Sequence, residues 1–244
     1  MQLKDASVLV ADDEPLLCEI MAAWLAREGC RVFQADNGAT ALELVTANKI
    51  DLIISDVRMP VMDGITLLKK VKAGGLHTPS VIFVTGFSDI EPREAYDLGV
   101  AAFIEKPALR ANLMSAVQRA LTDRSELWQS SPTVKPDARV SASFECVSSA
   151  VDNGLIAFGR GGFCLDSTLP LSRGPVELAL TFKSEEHTVS GQGQVRWTAN
   201  GEQKVGIEIT YIDDRNRDWV AGLFAWEELD SFIPRTTVVR NQLE

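Results

Sequence analysis

The chain has 244 residues, of which 45% are hydrophobic and 24% charged, a length for one large domain or two ordinary ones and a composition that excludes a small stapled scaffold and a disordered chain. Its 24 basic and 34 acidic residues divide as 13 against 17 over residues 1–124 and 11 against 17 over residues 125–244, so neither half has the Lys/Arg excess that displaces counterions from nucleic-acid phosphates. No run reaches the roughly 18 apolar residues of a membrane span, and Lys4 and Asp5 stand where a secretory signal would be apolar. These features set the expectation of a cytoplasmic protein with neither a membrane nor a nucleic-acid partner.

In chain order, the apolar runs SVLVAD, RVFQAD, DLIISD, SVIFVTG and AAFIEKP begin at Ser7, Arg31, Asp51, Ser80 and Ala101. Each is followed by a segment of helical period. Pro15 suits a first helical turn, with Leu17, Ile20, Met21, Trp24 and Leu25 on one face. Further stripes follow Asn37-Gly38, Gly64 and Pro107, with a shorter one after Pro92. Apolar strands without alternation, each trailed by a helix, predict a parallel sheet covered on both faces: a five-stranded, doubly wound α/β domain.

Beyond Thr122 the pattern changes. TDRSELWQSSPTVKPDA reads as a linker, and RVSASFECVSS, GLIAFG, GGFCLDS, PVELALTF, SGQGQVRWTA and QKVGIEITYI as short strands broken by Gly, Pro or Asn. They predict a small antiparallel β-barrel. From Asn216 to Leu229, Trp219, Val220, Leu223, Phe224 and Trp226 recur at helical spacing, a stripe expected to pack on that barrel, and Pro234 onward reads as a tail. Cys18, Cys30, Cys146 and Cys164 form no CxxC pair and lie in apolar patterns, so free thiols are expected. His77, before Thr78-Pro79, and His187, in a polar loop, stand too isolated for a metal or catalytic role.

Chemistry in an open parallel sheet collects beyond the carboxyl ends of its strands. Here those ends are Asp12-Asp13, Asp56, Thr85-Gly86 and Lys106-Pro107. Three converging carboxylates would repel unless a hard cation sat among them, and oxygen ligands suit Mg²⁺. An ammonium from Lys106 and a hydroxyl from Thr85 complete a site able to accept a phosphoryl group, with Asp56 as nucleophile. Gly64 and Met59-Pro60 read as turn chemistry shaping the loop after Asp56.

With VADDEP, SDVRMPVMDG, VTG and FIEKP in this order, residues 7–122 resemble the receiver domain of two-component response regulators. The resemblance implies that Asp12, Asp13 and Asp56 hold Mg²⁺, Asp12 often through water, with the backbone carbonyl of Arg58 as a further ligand. It implies that Thr85 and Lys106 contact the phosphoryl group, and that Phe103 is the switching aromatic, turning inward once Thr85 is drawn to the phosphate. The implied reaction is transfer from a phosphohistidine donor to Asp56, followed by slow self-hydrolysis.

Through GRGGFCLDSTLPLSRGPVELALTF and GQGQVRWTANGEQKVGIEI, residues 135–212 resemble PilZ domains, barrels that in many members bind cyclic di-GMP. Two departures bear on that ligand. Where the family has RxxxR this chain has Lys135 and Arg139, and its [DN]xSxxG turn reads Ala157, Gly159 and Gly162. Lysine cannot stack or fork as arginine does, and each hydrogen-bond partner lost to a buried polar ligand costs about 1–3 kcal/mol. Lys135, Arg139 and Arg160 remain the candidate contacts, for weak or absent binding of cyclic di-GMP.

The expected organisation is a receiver over residues 1–122, a linker over 123–137, a PilZ-like antiparallel barrel with a C-terminal helix over 138–233 and a tail over 234–244. The expected function is that of a response regulator, not an enzyme in its own right, phosphorylated on Asp56 and acting through protein contacts of the barrel. A sensor histidine kinase or phosphotransfer protein is the expected donor, an unnamed protein the output partner, and homodimerisation is compatible with the pattern. The alternatives are a phosphorylation-gated cyclic di-GMP receptor and, disfavoured by the acidic second half without a helix-turn-helix pattern, a transcription factor. A catalytic output is disfavoured too, since residues 125–244 cluster no Asp, Glu, His or Cys at strand ends.

Overall fold

The computed structural model describes residues 3–74, 78–86, 89–122, 126, 128–129, 135–166, 171–199, 204–222 and 229–237. His77, Leu223, Phe224, Trp226, most of the predicted linker and residues 238–244 of the predicted tail lie outside them. The chain forms two compact units, residues 1–91 with 100–124, and residues 92–99 with 125–244.

The first unit is built on five parallel strands, β1 (Ser7–Ala11), β2 (Arg31–Ala35), β3 (Leu52–Ser55), β4 (Ser80–Thr85) and β5 (Ala102–Glu105), in the order β2-β1-β3-β4-β5. Helices α1 (Pro15–Arg27), α2 (Gly38–Ala47), α3 (Gly64–Ala73) and α5 (Arg110–Leu121) connect or follow them; α4 (Pro92–Asp97) is counted in the second unit. The doubly wound reading of the sequence therefore holds. Val8, Val10, Leu52, Ile54, Ile82 and Val84 form one core with Cys18, Met21, Leu25, Leu113 and Val117. Residues of the other parity, Leu9, Ile53 and Phe83, are equally buried, so both faces are covered, and each such side chain contributes about 1.5–3 kcal/mol.

Local signals set the helix starts. Pro15 opens α1. Asn37 caps α2 by accepting from the amides of Ala39 and Thr40, and Asp63 caps α3 by accepting from Thr66. The buried face of α1 is Cys18, Met21, Ala22 and Leu25; Ile20, expected inside, is 37% exposed. Rotating the stripe by one position keeps the i, i+3, i+4, i+7 period while substituting smaller side chains against the sheet.

In the second unit, β6 (Ala138–Phe144), β7 (Ile156–Phe158), β8 (Gly162–Asp166), β9 (Gly174–Phe182), β10 (His187–Ala199) and β11 (Lys204–Ile212) form one sheet in the order β6-β9-β10-β11-β8-β7. The predicted wholly antiparallel barrel needs correction. Strand β6 runs parallel to β9, and among the described residues β6 and β7 are unpaired edges. The chain over residues 145–173 visits the far edge before returning beside β6, and a crossover of that length lets two strands run parallel. Part of the run read as strand is helix α6 (Val147–Asp152), capped by Cys146 and ended by Asn153 and Gly154, the latter at φ +65°. His187 is not in a loop but opens β10, and its ring stacks on Trp219 at 4.5 Å.

Alternation in β9 turns Val176, Leu178, Leu180 and Phe182 inward, where they meet Val140, Phe144, Phe163, Val189, Val195 and Ile207. Trp197 is buried, its indole lying where a side chain on Gly206 would be: a Cβ there would stand 2.0 Å from Trp197 Cε2. Helix α7 (Asp214–Gly222) begins two residues before the predicted stripe and packs Val220 and Trp219 on the same core. Helix α4 contributes Tyr96, stacked on Phe232 at 6.0 Å, and the buried Asp97, which accepts from Ser231 Oγ and the Arg235 amide.

Candidate functional site

The predicted carboxylates, Thr85 and Lys106 stand at or just past the carboxyl ends of strands. Asp12 and Asp13 follow β1, Asp56 follows β3, Thr85 closes β4 and Lys106 follows β5. Since β1 and β3 are neighbours while their connections leave to opposite sides, this end is the crevice where open sheets bind ligands. One carboxylate oxygen from each of Asp12, Asp13 and Asp56 lies within 4.8 Å of the others. Asp12 and Asp56 are buried and Asp13 is exposed, so the cluster has a solvent side.

The loop after β3 orients Asp56. Its Oδ1 accepts from the Val57 amide at 2.6 Å and the Arg58 amide at 3.3 Å. Gly64 starts α3 hard against this turn: a Cβ on it would sit 2.2 Å from the Asp56 carbonyl oxygen, so only glycine permits the approach. Lys106 Nζ is 2.6 Å from Asp56 Oδ2, 3.0 Å from Asp12 Oδ2 and 3.2 Å from Glu14 Oε1. Burial alone would lower the lysine's proton affinity; hydrogen bonds to Asp56 and Asp12 outweigh it and hold the ammonium protonated far above the usual range. Burial pushes the Asp12 carboxyl above its ordinary value, against the opposing Glu14 amide and Lys106.

This donor set fits Mg²⁺. Three hard oxygen donors converge, and the buried Oδ2 of Asp12 faces the Lys106 ammonium at 3.0 Å with no second donor, which leaves a lone pair for a cation. Two participants were missed in the sequence. Glu14 joins the ammonium, and its amide donates to Asp12 Oδ1 at 2.9 Å. Asp89, in the segment after β4, accepts from Thr85 Oγ1 at 2.8 Å and the Gly86 amide at 3.0 Å, and pairs with the Arg58 guanidinium. Its one sequence signal is a carboxylate four residues past Thr85. Phe103 is half-buried on β5, in register with Phe83.

The second unit distributes its candidates. Lys135 and Arg139 are exposed, Arg139 on the edge strand β6, while Arg160 follows β7 at the other edge. The turn carrying Arg160 is covered by the chain's own residues. The amides of Arg160 and Gly161 donate to Ser231 O and Phe232 O, both at 2.9 Å, and Arg160 Nη2 donates to Gly99 O at 2.8 Å. A Cβ on Gly159 would stand 2.5 Å from the Phe232 carbonyl oxygen, so the close approach requires glycine. All four cysteines are free; Cys146, expected in an apolar setting, instead caps α6 and is half-exposed.

Residues 8–118 match the family model of the response regulator receiver domain. Over 128 residues the chain is 36% identical to the transcriptional regulatory protein ZraR of Escherichia coli, covering 52% of this chain and 29% of that protein. Over 123 residues it is 33% identical to the DNA-binding transcriptional regulator NtrC of the same species, covering 50% and 26%. A receiver domain structure from Clostridium thermocellum, 29% identical, aligns over 48% of this chain and 94% of its own with a TM-score of 0.45. The chain thus spans less than a third of the length of these two curated relatives. No helix among the described residues is long and apolar enough to cross a membrane. With the family match lying on the sheet whose strand ends gather the acidic cluster, the N-terminal half of the chain is a response regulator receiver domain of a two-component system.

Proposed function

We propose that the protein is a response regulator that takes a phosphoryl group on Asp56 from a phosphohistidine donor, a sensor kinase or phosphotransfer protein, and passes the change to its second unit. The observation that carries this reading is the meeting of the Asp12, Asp13 and Asp56 carboxylates, with Lys106 Nζ 2.6 Å from that of Asp56. In the transfer an Asp56 carboxylate oxygen forms the new bond to phosphorus as the bond to the donor's imidazole nitrogen breaks, and that nitrogen keeps the electron pair. Lys106 neutralises charge on the transferred oxygens, the Thr85 hydroxyl donates to one of them, and Phe103 follows Thr85 inward. A magnesium ion held by Asp12, Asp13, Asp56 and the Arg58 carbonyl would supply the remaining charge neutralisation. Incubation with a small phosphodonor and Mg²⁺ should label the chain once; retention of label in Asp56→Asn, or labelling that persists under chelation, would refute the assignment.

The second unit acts, in this reading, as a PilZ-like output domain working through protein contacts. Support comes from the Arg160 turn, whose amides and guanidinium are engaged by Ser231, Phe232 and Gly99, leaving little of it to a nucleotide. Calorimetry with cyclic di-GMP should give no heat or a dissociation constant well above 1 μM; one near or below about 1 μM, worth roughly 8 kcal/mol, would move the reading to a cyclic di-GMP receptor. Similarity to the transcriptional regulatory protein ZraR and the DNA-binding transcriptional regulator NtrC favours a second possibility, transcriptional control. Residues 125–244, at 11 basic against 17 acidic, argue against direct DNA contact, and retention of the phosphorylated chain on duplex DNA at physiological salt would overturn that argument.

A further inference from the structure

Thr85 is fully buried at the end of β4, and its hydroxyl is already engaged. It donates to Asp89 Oδ2 at 2.8 Å, and the next backbone donor, Gly86 N–H, ends on the same oxygen at 3.0 Å. Asp89's other oxygen is paired with the guanidinium of Arg58. The Asp89 side chain is 5% exposed and that of Arg58 71%, so the arginine lies over a carboxylate that is otherwise enclosed. Three donors, from Thr85, Gly86 and Arg58, converge on the Asp89 carboxylate. Asp89 is therefore a charged acceptor for both donors at the end of the strand.

A hydroxyl has one proton. The Thr85 hydroxyl cannot serve Asp89 and a phosphoryl oxygen on Asp56 at once. Resting on the reading of Asp56 as phosphoacceptor, we propose that Asp89 is a positioning residue that competes with the phosphoryl group for the Thr85 hydroxyl, and so sets the balance between the resting and phosphorylated conformations. Arg58 ties this competitor to the nucleophile's own loop, because its amide donates to Asp56 Oδ1 while its side chain pairs with Asp89. Forming the phosphorylated state requires breaking the charge-assisted bond from Thr85 to Asp89, and removing the carboxylate removes that cost.

The test titrates the full chain with beryllofluoride in saturating Mg²⁺, reading the bound fluorines and the Gly86 amide by NMR. Asp89→Ala should bind the mimic about tenfold more tightly than wild type, since a hydrogen bond to a charged group is lost from the resting state alone. Asp89→Asn keeps the shape and a weaker, neutral acceptor and should give about threefold; it also serves if the alanine variant folds poorly. In a Thr85→Ala background the Asp89→Ala gain should largely vanish, because the hydroxyl under competition is gone. A folded Asp89 variant binding no more tightly than wild type, or a gain that persists undiminished without Thr85, overturns the proposal. Wild type that binds no beryllofluoride overturns the phosphoacceptor reading itself, and this one with it.

Discussion

Replacing Lys106 by methionine keeps most of the apolar stem of the side chain and removes the ammonium group. In the resting protein Nζ lies 2.6, 3.0 and 3.2 Å from carboxylate oxygens of Asp56, Asp12 and Glu14. Glu14 is 62% exposed and its pairing is screened by water. Asp12 and Asp56, at 0% and 8%, are not. Removing one partner of a buried ion pair costs about 3–5 kcal/mol because the remaining charge is left uncompensated. Lys106 retains 17% exposure, which points to the lower end, about 3 kcal/mol. The loss should appear in EDTA and shrink with Mg²⁺, since a cation among Asp12, Asp13 and Asp56 assumes the same neutralisation and stabilises the folded state by about 2.7 kcal/mol at a hundred times its dissociation constant. Hydrogen exchange of the β1 and β3 amides reads the first unit alone. Equal protection of Lys106→Met and wild type in EDTA, or a difference indifferent to Mg²⁺, would refute the reasoning.

Two further outcomes follow from single contacts. Gly206→Ala should lower the stability of the second unit by about 1–3 kcal/mol, read by hydrogen exchange of the β10 and β11 amides, because the new methyl would stand 2.0 Å from the buried indole of Trp197; protection equal to wild type would contradict it. Among the cysteines, Cys146 should react first with a thiol reagent near neutral pH: hydrogen bonds from Ser148 and then Ser149 hold its thiol below the ordinary value, which raises the thiolate fraction, while burial pushes Cys18 and Cys30 up. Equal modification of Cys18 in the native protein would contradict this.

Periodicity and strand-end chemistry made the first unit legible. Five apolar runs without alternation require helices on both faces, and such a sheet permits one arrangement of its carboxyl ends, so Asp12, Asp13, Asp56, Thr85 and Lys106 could be grouped before any coordinate was known. Asp89 and Glu14 could not. Each is an acidic residue in a loop or at a helix start, indistinguishable in sequence from a solvated one, and its role exists only because a folded loop sets its carboxylate against Thr85 or Lys106. The second unit was legible strand by strand, through Gly, Pro and Asn breaks and the alternation of β9, but not in its pairing. Local pattern records which face of a strand is buried and says nothing of which neighbour it finds. That β6 lies parallel to β9, that α6 interrupts an apparent strand, and that the Arg160 turn is closed by Ser231 and Phe232 are contacts distant along the chain. They are decided by how the whole core closes and by the need to satisfy every buried backbone donor.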